Sequence, residues 1–144
     1  MENKRQAGLE LVMRLHVTLE QAVFVGDTPK GKLNIIPITG GTAEGPCFCG
    51  KVCYGGADWN TVLPCGLNHV FAKYWLMDDQ GNAVSVENEG MIDWQNKTGP
   101  FITTPRFSCD VNGPYAALNS GVYTGELAPG GENAVNITFW RVGE

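Results

Sequence analysis

The stretch ITGGTAEGPCFCGKVCYGGADW, residues 38–59, places one strand-length segment between two glycine-rich segments. Because glycine adopts backbone angles that other residues avoid, and proline stiffens the chain, this composition predicts two tight corners. Each corner carries one carboxylate, Glu44 in the first and Asp58 in the second. Functional residues of small β domains often lie where the chain turns, so this stretch is the predicted functional site. The dipeptides that mark the corners are Gly40-Gly41, Gly45-Pro46 and Gly55-Gly56.

The remainder of the chain has the pattern of an all-β protein. Apolar and polar residues alternate over residues 9–19, which predicts a long first strand with one buried face, and residues 21–25 continue it around a bend. In residues 69–77 both faces are partly apolar, which indicates a strand covered by the core on one side and by a second subunit or a loop on the other. Further short strands are predicted at 32–38, 46–54, 59–63, 83–88, 101–104, 115–118, 121–127 and 134–142.

The composition supports a single domain formed by a closed sheet. The chain has 144 residues with 19 glycines and eight prolines, which favours many short elements joined by tight turns. Eight to ten strands at this spacing would close into a single-domain antiparallel β barrel, since closure removes unpaired strand edges. The longest stretch without a strand pattern, residues 89–99, is predicted to be a loop that folds over a barrel mouth and carries Trp94.

Several motifs resemble a known family. The run ITGGT-x-EGP followed by G-x-V and GGADW, with GDTPKG upstream, is similar to the family called domain of unknown function 3237, or uncharacterised protein family 0311. Further agreement lies at Tyr74, in the PFITTPRF segment and in residues 115–119, so the resemblance covers nearly the whole chain. It implies a small, usually oligomeric antiparallel β barrel, and it implies no particular activity.

Charge and cysteine content predict the cellular setting and the partners. The net charge of −5 disfavours nucleic acid, because phosphate binding requires a clustered basic face. The N-terminal residues have the pattern of neither a signal peptide nor a membrane span, so the predicted location is cytoplasmic, without a membrane partner. Five cysteines, an odd number, fit a reducing compartment.

Glu44, Asp58 and Tyr74 are the candidate catalytic residues. A closed barrel of about eight strands either fills with side chains or holds one small ligand, and a carboxylate at its rim could anchor a ligand or act as a general base. Partial burial against an aromatic ring raises a carboxyl pKa toward the range useful for proton transfer. In the alternative interpretation both carboxylates only stabilise turns. Tyr74 is included because a buried hydroxyl needs a partner, which either acid could provide.

Four other residues are candidate ligand-binding groups: Trp59, Trp94, His69 and Phe101. The aromatic side chains could line a cavity, although aromatic residues also form ordinary cores. His69 opens the strand that carries Tyr74 and could reach a barrel mouth, although a single histidine beside Phe71 also fits plain packing.

Metal, nucleotide and covalent chemistry are disfavoured. Side chains two residues apart on a strand lie roughly 7 Å apart, too far for thiolates that share one zinc ion, so the cysteines are interpreted as small apolar residues. No nucleophile elbow, phosphate loop or dinucleotide fingerprint occurs, and no cofactor or metal is predicted. The cysteines concerned are Cys47, Cys49, Cys53 and Cys65.

Three functions remain open from the sequence. The preferred hypothesis is a homo-oligomeric barrel that binds a small, mostly apolar metabolite between aromatic walls and polar anchors. The second is a cofactor-free isomerase or lyase that uses Glu44 or Asp58 as the base and Tyr74 as a hydrogen-bond donor. The third is a structural oligomer whose barrel interior is filled.

Overall fold

The computed structural model describes residues 3–95 and 100–143 of the chain. This part of the chain forms ten strands and one short 3-10 turn at Ala116–Asn119, and no helix in it is long and apolar enough to cross a membrane. The strands are β1 (Leu9–Leu19), β2 (Val23–Thr28), β3 (Gly31–Glu44), β4 (Gly50–Val52), β5 (Ala57–Val62), β6 (Asn68–Met77), β7 (Ala83–Ile92), β8 (Phe101–Cys109), β9 (Tyr123–Pro129) and β10 (Ala134–Val142).

The strands form one closed antiparallel barrel. Pairing runs from β1 through β10, β9, β8 and β7 to β6, and β6 then pairs with both β4 and β5. These two strands pair with β3, which returns to β1 and closes the sheet. β1 and β2 lie one after the other along the same side of β3, and β4 and β5 lie one after the other along its opposite side. Each of these pairs occupies one place in the wall, so the ten strands give a barrel eight strands wide. The predicted all-β barrel of eight to ten strands is confirmed.

Alternation of buried and exposed residues sets which side chains point into the barrel. In β1, Leu15 and Val17 are buried while Arg14 and His16 are exposed, as the sequence pattern predicts. A bulge between Leu11 and Met13 shifts the register near the start of the strand. In β6, where the sequence shows two partly apolar faces, positions 70, 72, 74 and 76 face the interior, and residues 73 and 75 are exposed.

The first predicted corner is present at only one of its two marking dipeptides, Gly45-Pro46. Gly40 and Gly41 lie inside β3, which continues to Glu44, so the prediction of a turn at this dipeptide is wrong. A Cβ atom at Gly41 would lie 1.9 Å from the carbonyl oxygen of His16 on β1, and φ there is +140°. Glycine is therefore required at this position because β1 and β3 approach closely. The chain bends directly after Glu44, over residues 45–47, which include the predicted corner dipeptide Gly45-Pro46.

The second predicted corner is present, but the strand between the corners is short. Gly55, with φ of +121°, lies in a turn directly before β5. Of the predicted strand 46–54, only Gly50–Val52 forms a strand, because the bend at residues 45–47 delays pairing. Cys47 and Cys49 are consequently exposed in the connection, whereas Cys53 is buried.

Two further predictions are corrected. The predicted loop over residues 89–99 begins later, since β7 continues to Ile92, and residues 96–99 lie outside the described part of the chain. The predicted strand 115–118 is replaced by the 3-10 turn at Ala116–Asn119.

Tyr115, the residue before this turn, donates a hydrogen bond of 2.5 Å to Asp78 Oδ2 in the hairpin turn between β6 and β7. This bond, with others from the turn itself, lowers the pKa of Asp78 to about 2.

The two ends of the barrel interior differ in polarity. One end, here called the packed end, is filled by fully buried apolar side chains: Met13, Leu76, Val84, Val86 and Phe139. The opposite end, here called the polar end, contains buried polar residues: Asn68, Asn88 and Thr103. Buried polar groups reduce stability unless they are paired, so the polar end is where a functional site is expected.

Candidate functional site

A cavity of about 160 Å³ lies inside the polar end. Most of its wall is aliphatic and comes from β1, β3, β6, β9 and β10, as shown by Val17, Ile38, Val70, Leu127 and Ile137. Trp94, which follows β7, also contributes to the wall. Polar side chains enter the cavity only from one part of the described wall, where β5, β6 and β7 lie side by side: Asp58, Asn60, Tyr74 and Asn88.

Three of these polar side chains surround Ala72. The sheet register places Asp58 of β5 directly opposite Ala72 of β6, and Asn88 of β7 opposite Ala72 on its other side. Tyr74 lies two residues further along β6, on the same inward face. Diagonal neighbours on adjacent strands are within reach of long side chains. Since alanine is small, the three polar groups therefore face a common space above its methyl group.

Asp58 is held by hydrogen bonds and is largely withdrawn from water. The backbone N–H of Phe71 donates to Oδ1 at 3.1 Å, and the Asn60 amide donates to Oδ2 at 3.4 Å. Burial raises the pKa of Asp58 above its usual value of 3.8, although these two bonds and nearby His69 oppose the shift. The carboxyl group is thereby moved toward the range in which it can exchange a proton with a ligand.

Tyr74 and Asn88 each present a buried polar atom without a hydrogen-bond partner among the described residues. The two side chains are 2% exposed, and the unpaired atoms are the Tyr74 hydroxyl and Asn88 Oδ1. Burial, together with the negative charge of Asp58, raises the pKa of Tyr74 above its ordinary value of 10.0. The phenol therefore keeps its proton and can donate a hydrogen bond into the cavity.

Glu44 is remote from this cavity. On β3 it pairs with Arg14 at the packed end, whereas Ile36, eight residues earlier, pairs with Asp58. At roughly 3.3 Å per residue, the two positions on β3 lie about 26 Å apart. Glu44 is exposed and is not among the lining residues. The prediction that the two acids face one hollow is wrong, because β3 continues past the glycine pair as far as Glu44 and so separates the two positions.

Of the predicted ligand-binding residues, the structure brings Trp94 to the cavity. Phe101, the first residue of β8, packs against it with ring centroids 4.2 Å apart and supports it from outside the wall. Trp59 follows inward-facing Asp58, so alternation directs it outward, and it is 43% exposed. His69 also lies on the outer face, where its Nε2 pairs with Glu89 at 2.6 Å. Trp59 and His69 are therefore not lining residues.

Asn88 is the functional candidate that the sequence analysis does not identify. The sequence of β7 does contain a sign of its importance. Every second residue of this strand points inward, and after Val84 and Val86 the next inward residue is the polar Asn88. A polar residue within an apolar stripe indicates either a paired core residue or a binding group. The structure leaves Asn88 Oδ1 unpaired among the described residues, which favours the second interpretation.

Comparisons with known proteins place the chain among barrel proteins. The model of a family described as "Protein of unknown function (DUF3237)" matches residues 7–142. A UPF0311 protein of Clostridium acetobutylicum is 33% identical over 90 residues, which are 62% of this chain and 57% of that relative, so the match spans little more than half of the relative's length. A structure described as a beta-barrel like protein from Acinetobacter baumannii has a TM-score of 0.82 at 28% identity and covers 99% of both chains.

A further solved structure, described as an enzyme from Penicillium herquei, has a TM-score of 0.78 at 20% identity. It covers 99% of this chain and 98% of that chain. At this identity the similarity extends to the fold alone.

Proposed function

Since the chain belongs to the DUF3237 family of proteins of unknown function, we propose its function from the cavity: it binds a small, mostly apolar molecule inside the polar end of the barrel. The observation that carries this proposal is an apolar cavity lined by Tyr74 and Asn88, whose buried hydroxyl and amide oxygen have no hydrogen-bond partner among the described residues. Leaving a buried polar group unpaired costs about 1–3 kcal/mol. A ligand that pairs both groups recovers that free energy on binding.

The size and lining of the cavity support the same conclusion. A cavity of about 150 Å³ is known to hold benzene, so a volume of about 160 Å³ suits a single ring or a molecule of similar size. Ligand sites typically combine a mostly apolar wall with a few placed polar groups that orient the ligand. Asp58, Tyr74 and Asn88 would be the orienting groups here.

A pair of matched substitutions tests this proposal. Leucine at position 72 would project into the cavity, whereas leucine at the adjacent Lys73 would project outward from the same strand. We expect Ala72→Leu to abolish binding of ring-sized fragments detected by saturation-transfer NMR, and Lys73→Leu to leave it unchanged. Equal fragment binding by Ala72→Leu and the unmodified chain would place the binding site elsewhere.

Proton transfer is the second candidate function. It is favoured by the raised pKa of Asp58 beside a protonated Tyr74, which matches a base and a donor acting on a carbonyl compound without a cofactor. Once a ligand is known, Asp58→Asn separates the two functions. Loss of turnover with retained affinity identifies an enzyme, and loss of affinity alone identifies a binding protein.

Self-association is proposed for the outer face of β5 and β6. Trp59 pairs across the strands with Phe71, and Trp75 lies further along β6, 38% exposed. Exposed apolar clusters of this kind often mark protein interfaces, so this face supports the predicted homo-oligomer. The third hypothesis, a structural unit with a filled barrel, is disfavoured by the open volume at the polar end.

A further inference from the structure

The unpaired atoms in the cavity restrict the chemistry of the ligand more closely than its size does. We infer that the buried polar group of the ligand is an uncharged hydroxyl, as in a ring-sized alcohol, enol or phenol. This inference rests on the proposed function, because it specifies what enters the same cavity.

The hydrogen-bond inventory favours a group that donates and accepts. The protonated Tyr74 offers a donor and Asn88 Oδ1 offers an acceptor, and both lack partners among the described residues. A hydroxyl accepts from the first and donates to the second with a single oxygen atom. A ligand carbonyl could accept from Tyr74 but has no proton to donate, so it would leave Asn88 Oδ1 unpaired. An ammonium group would leave the tyrosine proton without an acceptor on the ligand.

The charges around the cavity disfavour an anionic ligand. None of the described residues that line it is lysine, arginine or histidine, while Asp58 is among them. A carboxylate or phosphate would therefore be buried without a counter-charge and close to a group that is itself acidic. The burial that raises the pKa of Asp58 would weaken anion binding for the same reason, because it disfavours any negative charge at this site.

A cationic ligand group is also disfavoured, although Asp58 could pair with it. Burying an ion pair requires both ions to leave water, and the attraction between them compensates only when the geometry and the remaining hydrogen bonds are excellent. Both oxygens of Asp58 already accept hydrogen bonds, from Phe71 and Asn60. The carboxyl group is thus partly satisfied within the protein, whereas Tyr74 and Asn88 are not.

The sheet geometry places the two unpaired groups suitably for one oxygen atom. Tyr74 and Asn88 are diagonal neighbours on β6 and β7, since Asn88 is opposite Ala72 and Tyr74 is opposite Val86. Such diagonal neighbours have Cβ atoms within about 8 Å, so a polar atom above Ala72 can bridge them. The apolar remainder of the ligand would then lie along Val70 and Ile137 toward Trp94.

Four probes of similar size and different polar group test the inference: benzyl alcohol, toluene, benzoate and benzylamine. Their affinities are measured by titration calorimetry at pH 7.5 for the unmodified chain and for Tyr74→Phe, which retains the ring. Two additional hydrogen bonds correspond to about a tenfold gain in affinity, so we expect benzyl alcohol to bind about tenfold more tightly than toluene. Benzoate should show at least tenfold weaker binding than toluene, and Tyr74→Phe should remove most of the advantage of the alcohol.

The possible failures of this experiment differ from one another. Equal binding of toluene and benzyl alcohol would overturn the hydroxyl inference while leaving apolar binding intact. Tightest binding by benzylamine or by benzoate would replace it with a cationic or an anionic group. Absence of binding by all four probes would overturn the proposed function itself, and with it the inference.

Discussion

The substitution Tyr74→Phe gives a direct measure of the unpaired hydroxyl in the cavity. The side chain is 2% exposed and its hydroxyl has no partner among the described residues, so removing the oxygen removes a desolvation cost without breaking a hydrogen bond. We expect the ligand-free variant to be more stable by about 1–2 kcal/mol. For a chain of this length, at about 3 °C per kcal/mol, the melting temperature should rise by ~3–6 °C.

Tyr123→Phe provides the matched control. The hydroxyl of Tyr123 donates to the Ser120 carbonyl oxygen at 2.8 Å and accepts from Arg141 Nη1 at 2.8 Å. Removing it breaks both bonds, so this variant should lose about 1 kcal/mol or more. Both variants and the unmodified chain are refolded from denaturant to release bound small molecules. Their unfolding is then followed in urea and by calorimetry.

The two tyrosines should therefore respond with opposite sign. If Tyr74→Phe were destabilised as much as Tyr123→Phe, the hydroxyl of Tyr74 would be hydrogen-bonded in the ligand-free protein. The cavity would then have no unmet donor to offer a ligand. A stabilised Tyr74→Phe variant that also binds benzyl alcohol less tightly would instead show that the hydroxyl lowers stability in exchange for binding.

Three other predictions concern stability and assembly. The hydrogen bond that Tyr115 donates to Asp78 lowers the pKa of this carboxyl group from 3.8 to about 2. The ionised carboxylate therefore stabilises the fold above pH ~4, and this contribution is lost as the pH falls toward 2. Asp78→Asn should accordingly lower the urea midpoint at pH 7, and the difference from the unmodified chain should shrink on acidification to pH 2. Gly41→Ala should lower the free energy of unfolding in urea by more than about 3 kcal/mol, since the new Cβ atom would meet a backbone oxygen of β1. Gly66, with φ of +93°, faces open space, so the control Gly66→Ala should lower it by only about 1 kcal/mol. Trp59→Lys should lower the sedimentation coefficient if the outer face of β5 and β6 joins subunits, and an unchanged coefficient would assign the interface elsewhere.

Local patterns in the sequence were sufficient for the barrel and for part of the site. Alternation in β1 reports which residues face inward, because the strand has a period of two and one buried face. In β6 both faces are partly apolar, so the sequence defines two faces there without showing which one is inward. Asp58 and Tyr74 were both predicted as site residues, and the structure places both in the cavity wall. The turn that contains Gly55 was likewise readable from composition, since turns are a local property.

Features that depend on strand pairing were not readable in the same way. Gly41 looks like a turn residue, yet it lies within β3. Glycine is needed there because β1 passes too close to leave room for a side chain. The sequence places Glu44 and Asp58 at two neighbouring corners, whereas the length of β3 separates them in the structure. The sequence does not identify Asn88 as a site residue, because its role depends on lying opposite Ala72 in the neighbouring strand. That pairing is set by the register of β6 and β7, which local sequence does not determine.

The position of β1 in the closed sheet has a consequence for biosynthesis. This strand is made early, but one of its neighbours, β10, comes last in chain order among the described strands. Until β10 is made the apolar residues of β1 cannot be fully covered, and pairing between distant parts of a chain is slow. β1 therefore lacks one of its two neighbouring strands until β10 has been synthesised, and we expect chaperones that hold extended apolar segments to increase the yield of folded protein.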